Sequence, residues 1–584
     1  MFKLFRHLSK LDLLFIFFCL ICTIGDVWLS LRMPDYTAKL TEDVSAGILS
    51  MQSIRRNGGM MLLCGLGSSI IAIGSGFFTA RFSSNYVKTL RSKVFDKIMH
   101  FSSAEVGHFT TSSLITRTTN DVGQVQSMLT VGVQMLFRCP LLAVMAILKI
   151  SFAGVEWTEA TAITVAFVLL TLVAAVLICL PKFKKMQKLT DDLNTATRES
   201  IGGVRVIRAF NAERYQQGRF NKVNDEITRV GLFTGRTLGA AAPFISVAIN
   251  ALTIAIYWIG AVLINRAPMA ERAVVLGNMT AFTQYAMQIV VAFLAMVMVF
   301  MLLPSAMVSA KRLNEVLDTE PSMEYKDDYV EPTLRGEIEF RNVAFRYADA
   351  ASNCIEDISF RIRQGETFAV IGATGAGKTT LINLIARLYD ATEGEVLLDG
   401  VNVKEYPAIE ISEKVALAPQ RAILFKDSIK NNITYGTRRD VPDDDPELLR
   451  ALSIAETGFI QETEGGLAAE VSQDGSNFSG GQRQRLSIAR AIFRGAEIMV
   501  FDDSFSALDY RTDMLVRRAI RRELSDTTVV VVAQRIGTVK NADQILVLDN
   551  GRIAGLGKHE ELLESCSVYR EIALSQLNKE ELSC

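Results

Sequence analysis

The sequence predicts a polytopic α-helical membrane domain, with six transmembrane helices and long cytoplasmic extensions, followed by an α/β P-loop nucleotide-binding domain. Three observations predict this. The 584 residues exceed one ordinary domain. Long apolar tracts fill the chain up to about Leu303 and then stop, and residues 372–379 match the phosphate-loop pattern G-x-x-x-x-G-K-[ST]. We therefore place the membrane domain at 1–318, a linker at 319–335 and the nucleotide-binding domain at 336–584.

Composition excludes several classes of function. The net charge is −1 and no extended basic run is present, so we expect no nucleic-acid partner. The eight cysteines are scattered, which argues against a disulfide framework. Cys19 and Cys22 lie within an apolar tract, where packing is a better explanation than a redox or metal pair that needs accessible thiolates.

The membrane half begins with a mixed basic and apolar segment. Met1–Lys10 is typical of an interfacial helix on the cytoplasmic membrane surface, and no signal-peptide cleavage site follows it. Crossing the hydrocarbon takes about 20 apolar residues. The predicted spans are Leu13–Leu31, Met60–Ala80, Val131–Ile150, Ala160–Leu180, Gly239–Ile264 and Asn278–Leu303.

Charge determines the orientation of these spans. The connections Arg81–Gln124 and Pro181–Arg236 are rich in Lys and Arg, whereas Ser151–Glu159 has no basic residue. The positive-inside rule then places both long connections and both termini in the cytoplasm. Helical periodicity continues into both connections. It is interrupted by turn-like breaks at 107–109 and 210–212, where we expect short helices that contact another domain.

Two sets of residues within the spans have alternative explanations. Asp26, Arg138 and Lys149 each cost a few kcal/mol in a bilayer, so they serve either structural pairing and snorkelling or a substrate or proton site. The last span is rich in Met and aromatic residues, which suits either an adaptable ligand cavity or plain helix packing. The candidate lining residues are Gln284, Met287, Gln288 and Met298.

The phosphate loop has the context that its chemistry requires. An apolar run at Thr367–Ile371 predicts a buried strand before it, and Leu381–Leu388 has helical character after it. Glycines let the backbone approach phosphates, and the helix N-terminus supplies partial positive charge. Lys378 adds a full charge, and the Thr379 hydroxyl is a ligand for Mg²⁺.

Further segments extend this half. We interpret Leu313–Arg335 as a polar linker and Gly336–Arg346 as an edge strand, followed by Tyr347. A strand at Lys414–Ala418 leads to Gln420. Three more elements carry polar residues at their ends: a helix opened by Ser479-Gly480-Gly481-Gln482, a strand Ile498–Phe501 ending in Asp502, and a final strand Thr527–Ala533 ending in Gln534.

The order and spacing of these motifs resemble the ATP-binding cassette, and six spans before it resemble an ABC exporter half-transporter. By that resemblance Gln420, Asp503 and Gln534 are catalytic positions, and Thr379, Gln420 and Asp502 hold Mg²⁺. The resemblance also implies ATP contacts, with Tyr347 stacking on adenine and Asp509 in the D-loop. The implied ATP-binding residues are Tyr347, Gly372, Thr374, Gly375, Ala376, Gly377, Lys378, Thr379, Thr380, Gln420, Ser479, Gly480, Gly481, Gln482, Asp502 and Asp509.

Two positions depart from the family pattern. Asp503 stands where the family usually has a Glu that polarises the attacking water, and Gln534 stands where it usually has a His that senses the γ-phosphate. The nucleotide-holding residues and the signature remain intact. Since cassette dimers pair one chain's Walker motifs with the other's signature, this pattern resembles the degenerate-site partner of a heterodimer.

We therefore expect one subunit of a heterodimeric, ATP-driven exporter of small apolar or amphipathic compounds, of the multidrug type. The expected setting is a bacterial cytoplasmic membrane, with the cassette in the cytoplasm and membrane lipid around the spans. The alternatives are a lipid or peptide exporter, an importer with the same fold, or an ATP-gated channel. Flux measurements in vesicles separate them, because a pump accumulates substrate uphill and its direction distinguishes export from import.

Overall fold

The computed structural model describes residues 2–6, 8–47, 50–151, 155–269, 271–326, 332 and 334–576, and the side chains of these residues except 2, 155, 297, 298, 300 and 301. The chain divides into two compact units. One comprises 1–99 and 112–319, and the other comprises 100–111 and 320–584. A short segment of the membrane half, 100–111, thus belongs with the cassette unit, and each unit is described separately below.

Helices account for most of the described residues up to Asp318, and six of these helices are long. Within the described residues, six helices are long and apolar enough to cross a membrane, which confirms the six predicted spans. The helices are α1 Phe2–Phe5, α2 Lys10–Ser45, α3 Met51–Met99, α4 Ser103–Phe109, α5 Thr111–Ser151, α6 Val155–Gly202, α7 Val204–Ala209, α8 Glu213–Arg266 and α9 Arg272–Asp318.

The long helices extend well beyond a bilayer. With 49 residues, α3 is about 74 Å long at 1.5 Å per residue, against about 30 Å of hydrocarbon. Val87, Leu90 and Val94 on its cytoplasmic part are fully buried. The predicted periodicity therefore corresponds to continuous helix that packs against neighbours outside the membrane.

Three local predictions in this half need correction. Residues 107–109 are not a break, because they end α4, and the chain turns instead at Thr110, whose φ is +63°. Residues 313–318 are not linker, because Leu313 and Val316 are fully buried and α9 continues to Asp318. The interfacial helix is a single turn, α1, since Ser9 caps a new helix through a reciprocal pair with Asp12. The break at 210–212 is confirmed.

The ionisable residues of the spans are paired. Arg138 Nε donates to Asp26 Oδ2 at 2.9 Å, and Ser68 Oγ donates to Asp26 Oδ1 at 2.6 Å. Lys149 Nζ lies 2.6 Å from Asp35 Oδ2. These contacts favour the structural alternative, because pairing offsets the cost of charge in a bilayer.

The cassette unit contains two main sheets. The strands are β1 Ile338–Phe345, β2 Ile355–Ile362, β3 Thr367–Gly372, β4 Glu393–Leu398, β5 Val401–Asn402, β6 Val415–Ala418, β7 Asp427–Ser428, β8 Glu470–Val471, β9 Ile498–Asp502, β10 Thr528–Val532, β11 Gln544–Asp549 and β12 Arg552–Gly557. One sheet is antiparallel in the order β2-β1-β4-β5, and the other has the order β12-β11-β3-β10-β9-β6 with β11, β3, β10, β9 and β6 parallel. A short β7-β8 pair completes them.

Helices connect and cover these strands. They are α10 Lys378–Ile385, α11 Ala408–Lys414, α12 Ile429–Ile433, α13 Pro446–Ile454, α14 Phe459–Glu462, α15 Gly480–Phe493, α16 Tyr510–Glu523, α17 Ile536–Val539, α18 His559–Ser565 and α19 Ser567–Gln576. The strands β3, β9 and β10 are almost wholly buried, as parallel strands covered on both faces should be. Because parallel strands share one carboxyl edge, Gly372, Asp502 and Val532 come to the same side of the sheet.

Two strand predictions were wrong. The edge-strand interpretation of 336–346 fails because β1 pairs with β2 on one side and β4 on the other. Its alternation reflects an antiparallel sheet with one covered face, which an interior strand also has. The strand ending near Ala533 is not the last, since β11 and β12 follow it.

Candidate nucleotide-binding site

The phosphate loop joins β3 to α10, as the sequence predicted. Gly375 and Gly377 have φ values of +85° and +99°, a region that disfavours side chains. A Cβ on Gly372 would lie 2.2 Å from the carbonyl oxygen of Leu548, so this position tolerates only glycine. The loop is therefore shaped by backbone constraints that keep its amides open to an anion.

Lys378 is folded back over this loop. Its Nζ donates to the carbonyl oxygens of Gly372 at 2.8 Å and Ala373 at 2.7 Å. The residue is 8% exposed, and burial lowers the pKa of its ammonium, opposed by the nearby carboxylates Asp503 and Asp502. A desolvated cation of this kind gains from an adjacent anion, so the geometry suits phosphate binding.

Thr379 and Asp502 face each other across the loop. The Thr379 hydroxyl hydrogen-bonds the Asp502 carboxylate, and burial raises the pKa of that carboxyl despite this bond, with Asp503 adding repulsion. A hydroxyl, a carboxylate and the Gln420 amide are hard oxygen donors of the kind that Mg²⁺ takes alongside water and phosphate. Searched over the described residues, the chain has no group of three His, Cys, Asp or Glu side chains able to hold a metal. The donor set therefore fits a magnesium ion shared with nucleotide, not a metal cage made by protein alone.

Asp503 and Gln534, the two residues that depart from the family pattern, contact each other. Its Oδ2 accepts from Gln420 Nε2 at 3.5 Å and from Gln534 Nε2 at 3.4 Å, both long for hydrogen bonds. Its φ is +46°, and its backbone amide donates to the Val532 carbonyl at 3.0 Å, which fixes the turn after β9. Burial raises the pKa of this carboxyl, and the hydrogen bond from Gln420 and the charge of Lys378 oppose the rise.

Supporting residues hold this cluster in place. Ser504 Oγ donates to the Ala418 carbonyl at 2.8 Å, and Gln484 Nε2 donates to the Pro419 carbonyl at 3.3 Å, so both anchor the segment before Gln420. Gln576 Nε2 donates to the Gln534 carbonyl at 2.7 Å. Sequence reasoning missed Ser504, Gln484 and Gln576. No local pattern predicts these contacts, because the two residues of each hydrogen bond are distant in the chain.

Tyr347 lies beside the phosphate-loop helix. Its hydroxyl is 3.1 Å from Thr380 Oγ1, and its ring makes edge contacts with Phe345 and Tyr389 at centroid distances of 4.8 and 5.4 Å. The structure thus brings the predicted adenine-stacking residue to the loop. Thr374 and Ala376 lie within the loop, the first exposed and the second buried.

The signature residues form the first turn of α15 and its cap. Ser479 caps α15 in a reciprocal pair with Gln482, at 2.8 and 3.3 Å. A Cβ on Gly480 would meet nothing within 4 Å, whereas one on Gly481 would lie 3.3 Å from the Ala507 carbonyl beside Asp509. No hydrogen bond found among the described residues joins the signature to the phosphate loop.

The candidates in the last span show mixed surroundings. Met287 is 43% exposed and lines a small cavity with α8, and the buried amide oxygen of Gln288 has no hydrogen-bond partner among the described residues. Gln284 is partly buried, and the side chain of Met298 lies outside the described residues. Met279, which belongs to the same Met-rich stretch, instead packs against Gly260, where an added Cβ would be 2.4 Å from its sulfur.

Comparison with known proteins identifies both halves. Residues 16–293 match the model of the ABC transporter transmembrane region, and residues 355–506 match the ABC transporter model. An ABC transporter ATP-binding protein of Mycobacterium tuberculosis is 36% identical over 94% of this chain and 93% of its own length. An ATP-dependent lipid A-core flippase of Hahella chejuensis is 30% identical over 89% and 87%. The structure of a bacterial Atm1-family ABC exporter with ATP bound superposes with a TM-score of 0.77 at 22% identity, covering 96% of this chain and 98% of that one.

Proposed function

The chain belongs to the ABC transporter family, and from that premise we propose that it is one half of a heterodimeric, ATP-driven exporter of apolar or amphipathic compounds. The observation that carries the proposal is the cluster at Asp503. A short carboxylate held by two amides stands where water activation needs a longer carboxylate and an imidazole. Every group that holds nucleotide is retained beside it.

In this proposal the chain's own residues bind and orient ATP. Lys378 and the loop amides hold the phosphates, and Tyr347 flanks the base. Thr379, Asp502 and Gln420 hold Mg²⁺, which neutralises phosphate charge when bound. The family's half-transporters work as dimers, so Ser479 and Gly480 act on the nucleotide held by the partner. Closure of the two cassettes around ATP then reorients the membrane helices.

Asp503 is a poor general base for two reasons. It is one methylene shorter than Glu, so its oxygens lie further from a water placed by a longer side chain. Gln534 offers an amide where an imidazole would titrate, and an amide neither takes nor gives a proton at neutral pH. We therefore assign slow hydrolysis to this chain's own site and efficient hydrolysis to the site completed by its signature.

A gain-of-function experiment tests this directly. Asp503→Glu combined with Gln534→His restores both side chains, and we expect it to raise steady-state phosphate release by the purified lone chain at least about tenfold. The matched control is Asp440→Glu with Gln461→His, the same changes at exposed positions elsewhere in the cassette. Hydrolysis by the unmodified lone chain as fast as by its complex with a co-expressed second half-transporter would refute the degenerate-site proposal.

Substrate class needs its own test, because relatives named lipid A-core flippases favour a lipid as the alternative cargo. We propose that Gln284, Met287, Gln288 and Met298 line the pathway. Met287→Ala and Gln288→Ala should then shift the relative export of a panel of dyes and labelled lipids in vesicles several-fold, while basal ATPase stays unchanged. Met279→Ala is the control for packing, since that side chain fills the space beside Gly260. Equal loss of transport for every compound in the panel would count against a pathway role.

A further inference from the structure

A groove of about 980 Å³ lies between α6 and α8 in the membrane unit. Each helix contributes one face, because its lining residues recur every three or four positions. The side chains that form the walls are Phe167, Leu170, Ile178, Phe233 and Phe244. Leu170 is 68% exposed and Phe244 is 56% exposed, so large apolar side chains border an open channel.

Small residues line the middle of the groove. Ala174 and Ala175 on α6 face Ala240 and Ala241 on α8 along its floor. Ala175 and Ala241 are each 7% exposed, which shows that the helices pack closely there. Alanine methyl groups together with aromatic and leucine side chains make the lining of this open groove largely apolar, which suits a hydrocarbon chain.

One end of the groove is strongly basic. Arg229 and Arg236, two turns apart on α8, line it directly. Lys182 follows Ile178 by one turn on α6, and its Nζ lies 5.1 Å from the centroid of the Phe233 ring. Among the described residues none of these three cations forms an ion pair, and the nearby carboxylate of Glu226 is bound to Lys185 at 2.6 Å. Three cations therefore meet at the mouth of an apolar channel.

The membrane orientation determines that the basic end of the groove lies on the cytoplasmic side. The cassette is cytoplasmic, so α6 enters the cytoplasm at its carboxyl end and α8 leaves it at its amino end. Arg236 comes one turn before the predicted span Gly239–Ile264, and Phe244 lies about 12 Å further along the axis. The cations are thus at the cytoplasmic interface and the apolar channel rises into the inner leaflet.

We propose that this groove binds one anionic phospholipid of the cytoplasmic leaflet. Its phosphate lies among Lys182, Arg229 and Arg236, and one acyl chain lies over the alanine floor. Charge complementarity selects this occupant, because a neutral apolar compound would leave Lys182 and Arg236 unmatched and Arg229 only partly balanced by Glu226, and a free anion would leave the channel unfilled. The site is separate from the nucleotide site, and the proposal does not depend on a heterodimer.

Lipid retention by the purified full-length transporter tests the proposal. Native mass spectrometry with phosphatidylglycerol, phosphatidylcholine of the same acyl chains, and inorganic phosphate separates head-group charge from acyl binding. We expect retention of phosphatidylglycerol, with Arg229→Gln/Arg236→Gln lowering it at least about tenfold. The charge-matched control, Arg198→Gln/Arg214→Gln, changes two exposed arginines on the same helices outside the groove.

A steric variant tests the apolar part independently. Ala174→Phe/Ala240→Phe fills the floor while leaving the cations in place, so it should reduce phosphatidylglycerol retention without changing the weak binding of inorganic phosphate. Size-exclusion profiles establish that each variant remains assembled. If the Ala174→Phe/Ala240→Phe variant does not assemble, the arginine variant still tests the proposal. Equal retention of both lipids, or retention unaffected by both variants, would overturn the proposal, as would phosphate binding as tight as lipid binding.

Photo-crosslinking locates the lipid in the assembled transporter. Phosphatidylglycerol with a diazirine in its acyl chain should label peptides covering 167–178 and 232–244. The arginine variant should lose this labelling. Absence of label at both segments, with label elsewhere on the transporter, would show that another protein segment covers the groove and would refute the lipid assignment.

Discussion

The candidate nucleotide site has a phosphate-holding edge and a water-facing edge, and the two differ in how closely their residues follow the family pattern. At the phosphate-holding edge, the loop after β3 has its constrained glycines, Lys378 lies over two carbonyls, and Thr379 bonds Asp502. At the water-facing edge, Asp503 receives two long amide contacts, from Gln420 and Gln534. Under the proposed assignment, holding nucleotide rests mainly on Lys378 and Thr379, splitting it rests on Asp503 and Gln534, and Gln420 takes part in both. Substitution can weaken the second function while leaving the first intact.

We expect the largest effect when the loss of ATPase caused by a signature variant is compared with the loss caused by a variant of the water-facing edge. Gly480→Asp places a carboxylate where the partner's nucleotide phosphates should lie, and the open space around Gly480 lets the side chain fit within this chain. We expect ATPase of the assembled pair to fall at least about 100-fold, whereas Asp503→Asn lowers it less than about threefold. Ser479→Ala should fall between them, since it also loses a helix cap.

Steady-state phosphate release from purified heterodimer, measured side by side, checks this ranking. Gly480→Ala is the control for folding, because the same space accepts a methyl group. If Asp503→Asn proved the more damaging change, the water-facing edge of this chain would be the working one and the comparison would be reversed.

The next effect concerns the phosphate-holding edge alone. Lys378→Ala removes a buried ammonium, and loss of charge-assisted contacts should weaken ATP binding at this chain's site about 10- to 100-fold. Photo-labelling of this polypeptide by an azido-ATP analogue reports it. Lys404→Ala, an exposed lysine in the same unit, provides the comparison. Undiminished labelling of the Lys378 variant would mean that the loop does not hold phosphate.

The smallest effect distinguishes binding from stability. Burial raises the pKa of Asp502, so the folded protein binds its proton more tightly than the unfolded chain does, and stability falls as pH rises through the window above the ordinary carboxyl pKa. Asp502→Asn should therefore raise Tm of the nucleotide-free protein by at least about 2 °C at pH 7.5, and by less at pH 4.5.

Asp509 supplies the opposite case for the same assay. The backbone amide of Thr512 donates to the Asp509 carboxylate and lowers the pKa of that carboxyl, so this group stabilises the fold above the ordinary carboxyl pKa and the benefit is lost on acidification. Asp509→Ala should lower Tm at pH 7.5. Differential scanning fluorimetry with a thiol-reactive dye follows both variants, and a Tm for Asp502→Asn below that of the parent would contradict the burial argument.

Local patterns were the part of the site that the sequence could predict. The strand and helix on either side of the phosphate loop, the helix opened by Ser479 and the strand before Asp502 are each specified within a few residues, and their secondary structure was confirmed. The six spans were also predictable, because length and hydropathy alone define them. The roles of the site residues in binding and catalysis stay predictions.

Long-range relations were not predictable in the same way. Asp503 meets Gln420 across 83 residues, and no periodicity in the sequence encodes that contact. Sequence identified Lys149 but not its partner Asp35, which is 114 residues away. The edge assignment of β1 failed for a related reason, since alternation reports which face is covered and not how many neighbours a strand has.

The pairing of Asp26 also has a consequence for how the protein is made. At about 5 to 20 residues per second of synthesis, Ser68 follows Asp26 by 42 residues and Arg138 follows it by 112. The time between synthesis of Asp26 and synthesis of its partner is therefore about 2 to 8 s for Ser68 and about 6 to 22 s for Arg138. Until Arg138 has been synthesised, Asp26 therefore lacks the cation that pairs with it in the finished fold.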